Sequence, residues 1–134
     1  MNPNTIYRVS IKGLDVKDGK LLLVKEDTSL WELPGGGLEH GEEPTEGLLR
    51  EIGEETGIDV EILEARPIYV WTQERDDGIR RCFLGYKVSF PTLDFTPTNE
   101  CQEMKYFSVE EIKKLPLSPN SAKIPRFFNP KDFV

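Results

Sequence analysis

Cysteine is scarce in this chain. Cys82 and Cys101 are the only two, too few for a disulfide framework and not in a CxxC zinc spacing, so a reducing interior with two inert core thiols is the expectation. Positive charge is also short: 17 Lys and Arg stand against 24 Asp and Glu, a net charge of -7. Binding nucleic acid as a polymer relies on Lys and Arg replacing counterions along the phosphates, so that partner is excluded, whereas a small anionic substrate can still bind through a metal ion. No apolar run reaches the roughly 18 uncharged residues that a membrane span requires. The opening "MNPNTIYRVS" lacks a basic region followed by an apolar stretch. The expected location is therefore cytoplasmic, with no membrane contact.

What is present fits one globular domain over residues 1–134: 37% of the chain is hydrophobic, with two Trp, four Tyr and seven Phe. A chain of this size can bury most of its apolar surface and fold alone. No internal repeat, low-complexity tract or linker interrupts it.

Residues 7–16 are extended in pattern, and Asp18-Gly19 reads as a hairpin turn before the apolar run 21–24. "WEL" ends a short strand, stopped by Pro34 and a flexible run from Gly35 to Gly37. Pro44 suits a first helical turn and Gly57 a C-terminal cap, so a helix is predicted over 44–56. Residues 60–72 and 79–90 are rich in β-branched and aromatic side chains and read as a strand pair around "RDDG". Residues 104–107 suggest a last strand. Ser108 and Glu111 form an S-x-x-E capping box, and "LSPNSAKI" adds a helical turn that Pro125 should break.

The chemistry lies in "LPGGGLEHGEEPTEGLLREIGEETGI", residues 33–58. Positions three and four apart share a helix face, so Glu51, Glu54 and Glu55 project to one side. Such carboxylates repel unless something positive is bound, and all-oxygen ligation suits Mg²⁺, or Mn²⁺ in its place. Leu48, Leu49 and Ile52 form an adjacent apolar stripe for the core. Gly47, inside the helix at a cost of about 1 kcal/mol, is expected to leave room over the carboxylates for a ligand. Gly35, Gly36 and Gly37 allow a carbonyl to approach the same ion or an amide to touch a phosphate. The alternative reading is a solvated acidic helix after a flexible turn.

Spacing separates the two. From Gly36 the chain resembles the Nudix box, G-x5-E-x7-R-E-U-x-E-E-x-G-U with U a bulky aliphatic. Every fixed position is met, at Gly36, Glu42, Arg50, Glu51, Ile52, Glu54, Glu55, Gly57 and Ile58. The resemblance implies an α/β (α+β) fold, the family's α/β/α sandwich around a central mixed β-sheet. It also implies divalent-cation-dependent hydrolysis of a nucleoside diphosphate linked to a group X. Carried over by position, Glu51, Glu54 and Glu55 become metal ligands, joined by the Gly36 carbonyl, and Glu42 pairs with Arg50 to hold the loop against the helix, with Gly57 closing it.

Water would attack phosphorus with no covalent protein intermediate. The general base is a carboxylate of the box, such as Glu54 or Glu51, or one in "NECQEMKYFS", where Glu100 is similar to a further acid of MutT-like members and Glu103 is the second candidate. His40 falls at an unconstrained position and reads as a solvent-facing loop residue. Trp31 and Trp71 are candidates for stacking a base, with core packing as the alternative. Asn120 resembles the asparagine that MutT-like proteins set against a purine edge, although turn chemistry also suits it.

Thr72, Gln73 and Glu74 stand where some subfamilies carry a proline or tyrosine. The expected substrate is therefore a small nucleotide, first a nucleoside triphosphate, canonical or oxidised, cleaved to monophosphate and pyrophosphate. ADP-ribose or a nucleotide sugar is the second class. A nucleotide sensor without turnover is the reading from another class, and the intact box argues against it. A structural calcium site is set aside for want of an EF-hand loop. Monomer and homodimer both stay open.

Overall fold

The computed structural model describes residues 6–134. Residues 1–5, which begin the stretch read for a leader, lie outside the described residues. Strand β1 (Tyr7–Leu14) runs into β2 (Val16–Lys17), which returns as β3 (Lys20–Lys25). Asp18 and Gly19 have φ of 54° and 74°, the left-handed pair that a two-residue hairpin needs. The turn is the one expected.

β3 is apolar from Leu21 to Val24 because both its faces are covered. Leu22 and Val24 enter one core cluster, and Leu21 and Leu23 enter the other; a strand buried on both sides has no reason to alternate. Its partner along one edge is β9 (Glu103–Phe107), with Leu21 opposite Phe107. Short strands β2 and β4 (Trp31–Glu32) share the other edge.

β1 centres the second sheet. It pairs antiparallel with β5 (Gly35–Gly37) and parallel with β8 (Arg80–Ser89). The far side of β8 carries β6 (Glu61–Ile62) and β7 (Tyr69–Glu74), both antiparallel. This is the mixed sheet the resemblance implies. Two expectations change here. The glycines form a strand rather than a loose loop, because β1 offers them a ladder: Ser10 faces Gly37, Ile11 Gly36 and Lys12 Gly35. The run 60–72 is not one strand either, since an exposed stretch containing Pro67, which has no N–H to donate, separates β6 from β7.

Helix α1 (Pro44–Thr56) has the expected bounds, with Pro44 in its first turn. Gly57 caps it at φ 72°, donating its N–H to the Gly53 carbonyl. Leu48 and Ile52 are fully buried against Ile11, Tyr86 and Val88. Leu49 is not part of that stripe: it is 44% exposed, one helical step round from Leu48.

On the other side, α2 (Val109–Ile112) starts at the expected Ser108/Glu111 capping box. A 3-10 turn (Pro119–Ser121) and α3 (Ile124–Phe127) follow. Pro125 opens α3 instead of breaking a helix, because its missing N–H is not needed in a first turn. Ile112, Ile124 and Phe128 complete the second core with Leu14, Leu33 and Phe83. Helices on both sides of the strands make the α/β/α sandwich. No helix among the described residues is long and apolar enough to cross a membrane.

Candidate active site

Arg50 is the hub of α1. Its Nε donates to Glu42 Oε2 at 2.8 Å and its Nη2 to Glu42 Oε1 and the Gly37 carbonyl, both at 3.1 Å. The expected Glu42–Arg50 pair is formed, and it ties the loop before the helix to β5. The Glu42 carboxyl is held below the usual carboxylate range, first by Arg50 and then by the Glu39 N–H. Nη1 of the same arginine reaches Glu51 Oε1 at 3.0 Å and Glu54 Oε1 at 3.2 Å.

The three box carboxylates therefore take different surroundings. Glu51 faces a cleft that Gly36 also lines. Glu54 is more than half exposed and lines a neighbouring hollow with Asp94 and Thr98. Glu55 is buried, accepts the Gly35 N–H at 2.8 Å and borders both cavities. Burial pushes its carboxyl up to about 8, against the opposing pull of Lys12 and the Gly35 N–H. Among the described residues, no three His, Cys, Asp or Glu side chains stand together as a ready-made metal cage.

The glycines have separate reasons. Gly35 has φ of 124° and a Cβ there would strike the Ile11 carbonyl. A Cβ on Gly36 would occupy the place of the Glu51 carboxylate, so the bare backbone lets carboxylate and strand meet. Gly47 does not keep space for a ligand: a Cβ there would lie 2.7 Å from Glu42 Oε1 and 2.9 Å from Leu38 Cδ1. Its small size lets the loop pack on the helix.

Three charged residues of the cleft carried no signal in the sequence reading. Lys12 is 2% exposed; its ammonium donates to the Leu33 and Gly35 carbonyls, each at 3.2 Å, and stands 3.7 Å from Glu32 Oε1. Burial alone would raise the Glu32 carboxyl, but Lys12 and hydrogen bonds from Glu26, Ser118 and Lys12 outweigh it and hold Glu32 below the usual range. Glu26 is pushed up to about 8, chiefly by its hydrogen bond to Glu32 and then by burial. The signal that could have found the pair is a charge set inside an apolar run, as in Ile11-Lys12-Gly13-Leu14 and Trp31-Glu32-Leu33.

Lys12, Glu26, Glu32, Glu51 and Glu55 border one cleft of about 370 Å³. Glu100 joins it, on a turn where Thr98 Oγ1 accepts the Glu100 and Cys101 N–H groups. Glu103 does not, because it pairs with Lys25 at 3.0 Å on β9. Asn120 lines the cleft with its carboxamide oxygen buried and without a hydrogen-bond partner among the described residues. Both tryptophans are core residues rather than base platforms. Trp31 meets Phe107 edge-on at 4.8 Å, and Trp71 stacks on Phe83 at 5.1 Å while its Nε1 donates to the Asn120 carbonyl. His40 is exposed, as expected. Cys101 is buried, but Cys82 is only partly so and is not a core thiol.

Glu51, Glu55 and the Gly36 backbone give an all-oxygen donor set on one wall of the cleft, with no Cβ to block it. That set fits a hard divalent cation. A NUDIX domain model matches residues 6–128, and the chain belongs to the Nudix hydrolase family. It is 47% identical over 66 residues to a MutT-like protein of Streptomyces ambofaciens, covering 48% of this chain and 43% of that relative, less than half its length. It is 33% identical over 111 residues to a CTP pyrophosphohydrolase of Escherichia coli, covering 77% of each. Among solved structures, the E. coli ORF135 protein superposes with a TM-score of 0.71 at 26% identity, covering 93% of this chain and 89% of that one.

Proposed function

We propose that this chain is a Mg²⁺-dependent pyrophosphohydrolase that cleaves a nucleoside triphosphate to the monophosphate and pyrophosphate, with Mn²⁺ able to replace Mg²⁺. The observation that carries the reading is one cleft shared by the carboxylates Glu51 and Glu55, the glycine strand, Glu100 and the unpartnered Asn120 oxygen. Glu51, Glu55 and the Gly36 carbonyl would hold the cation, with Glu54 joining after release from Arg50. When bound, the ion neutralises charge developing on the phosphate oxygens and lowers the pKa of the attacking water.

The protein's own groups do the rest. Arg50 holds Glu51 in place through its Nη1. Glu100 takes the proton of the attacking water as the new P–O bond forms and the anhydride P–O bond breaks. The pyrophosphate leaves with the pair of electrons from that bond. Asn120 offers its buried carboxamide oxygen to an N–H of the base, which would satisfy the atom that is otherwise orphaned.

A second reading is ADP-ribose or nucleotide-sugar hydrolysis. It is favoured by a 27% identical ADP-ribose pyrophosphatase of Methanocaldococcus jannaschii that aligns with 80% of this chain and 65% of that protein. Incubating the protein with Mg²⁺ and canonical and oxidised triphosphates, ADP-ribose and nucleotide sugars, then separating products by chromatography, distinguishes the two. Monophosphate and pyrophosphate from a triphosphate, lost in Glu51→Gln, is the expected result. Cleavage of ADP-ribose or a nucleotide sugar alone promotes the second reading. Nucleotide binding with no turnover overturns both in favour of a sensor.

A further inference from the structure

Arg8 and Arg81 stand opposite each other, as register partners across the parallel β1–β8 ladder, and both line the cleft. Like charges set directly opposite on neighbouring strands repel, and this pair lies in a chain of net charge -7. Among the described residues, direct ion pairs offset the repulsion only through Asp77. Arg8 makes no salt bridge among the described residues, and residues 1–5 contain no Asp or Glu. Its guanidinium extends over β5, with Nη2 3.8 Å from where a Gly37 Cβ would be. Arg81 uses its fork weakly: Nη2 is 3.7 Å from Asp77 Oδ2 and Nη1 3.4 Å from the Ile79 carbonyl. Asp77 itself already accepts the Ile79 N–H at 2.9 Å.

From this loosely engaged cationic pair we infer a second anion subsite, in which Arg8 and Arg81 grip a phosphate group beyond the one attacked. Guanidinium forks match phosphate oxygens in pairs, and two of them lining one cleft from adjacent strands can share one group. The inference rests on the hydrolase reading and narrows its substrate. It requires the group X to carry a terminal phosphate, as in a triphosphate, and not an uncharged sugar. The cation wall would hold the anhydride to be broken, while the arginines would hold the far end of the leaving group and set which phosphorus faces the water.

The test is calorimetric titration of the metal-stripped protein with inorganic pyrophosphate. The intact chain should bind it, Arg8→Gln and Arg81→Gln should each weaken binding about tenfold, and Arg8→Lys should recover part of the loss. Arg8 is exposed, so its removal leaves the fold intact by circular dichroism. Equal affinity in Arg8→Gln, or no binding by the unsubstituted chain, overturns the subsite. Because this readout needs no turnover, its failure is distinct from failure of the hydrolase reading, which appears as an inert unsubstituted enzyme across the nucleotide panel.

Discussion

Replacing Lys12 by methionine should unfold the protein more readily than any surface substitution, and the reason lies in what the ammonium leaves behind. Lys12 and Glu32 have side chains 3% and 8% exposed and stand 3.7 Å apart. Removing one partner of a buried pair strands the other charge, at a cost of about 3–5 kcal/mol. Here the Ser118 hydroxyl still donates to Glu32 at 2.8 Å, so the lower end, about 3 kcal/mol, is expected. At about 4 °C per kcal/mol for a chain of this length, Tm should fall by about 12 °C. Thermal unfolding of Lys12→Met, Glu32→Gln and the double variant forms a cycle. The double variant should be more stable than the two single losses predict, by about 2 kcal/mol. Strictly additive losses would mean that the pair is not coupled, and the reasoning fails.

Three further outcomes follow from the same geometry. Gly36→Ala places a methyl where the Glu51 carboxylate sits, and Mn²⁺ affinity read by electron paramagnetic resonance should drop about tenfold or more with the fold retained; unchanged affinity would remove Gly36 and Glu51 from the metal wall. Glu26 has its folded pKa raised to about 8 from 4.5, so the native state holds this proton between those values while the unfolded chain releases it. Its contribution to stability is full below pH 4.5 and lost as pH rises towards 8, and Glu26→Gln should flatten that decline in chelator, as followed by urea unfolding. Cys101 is buried and its thiol is pushed up to about 12, mainly by burial; iodoacetamide at pH 8 should modify Cys82 first in the native protein, and equal labelling by mass spectrometry would contradict that burial.

Much of the frame was legible in the sequence because punctuation residues mark it. Pro44 and Gly57 bound α1, Asp18-Gly19 turns the first hairpin, and Ser108 with Glu111 starts α2. The Glu42–Arg50 clamp was legible through the box pattern. The glycine strand was not, since nothing intrinsic to Gly35, Gly36 and Gly37 favours extension; the ladder comes from β1, more than 20 residues earlier. Trp31 and Trp71 were ambiguous because an aromatic ring has the same letters on a binding platform and in a core, and only Phe107 and Phe83 decide it. Lys12 read as one polar position on an extended strand. Its meaning depends on Glu32 and two carbonyls brought to it by the fold.

Because Leu21 to Val24 on β3 send alternate side chains into opposite cores, neither layer can open without exposing the back of the other. The strand acts as a party wall, and the two halves of the molecule share one melting event. Its amides should exchange with solvent at a single slow rate equal to that of global opening. The cleft walls hung from β1 and α1 thus borrow their rigidity from a helix pair on the far side that does not line the cleft.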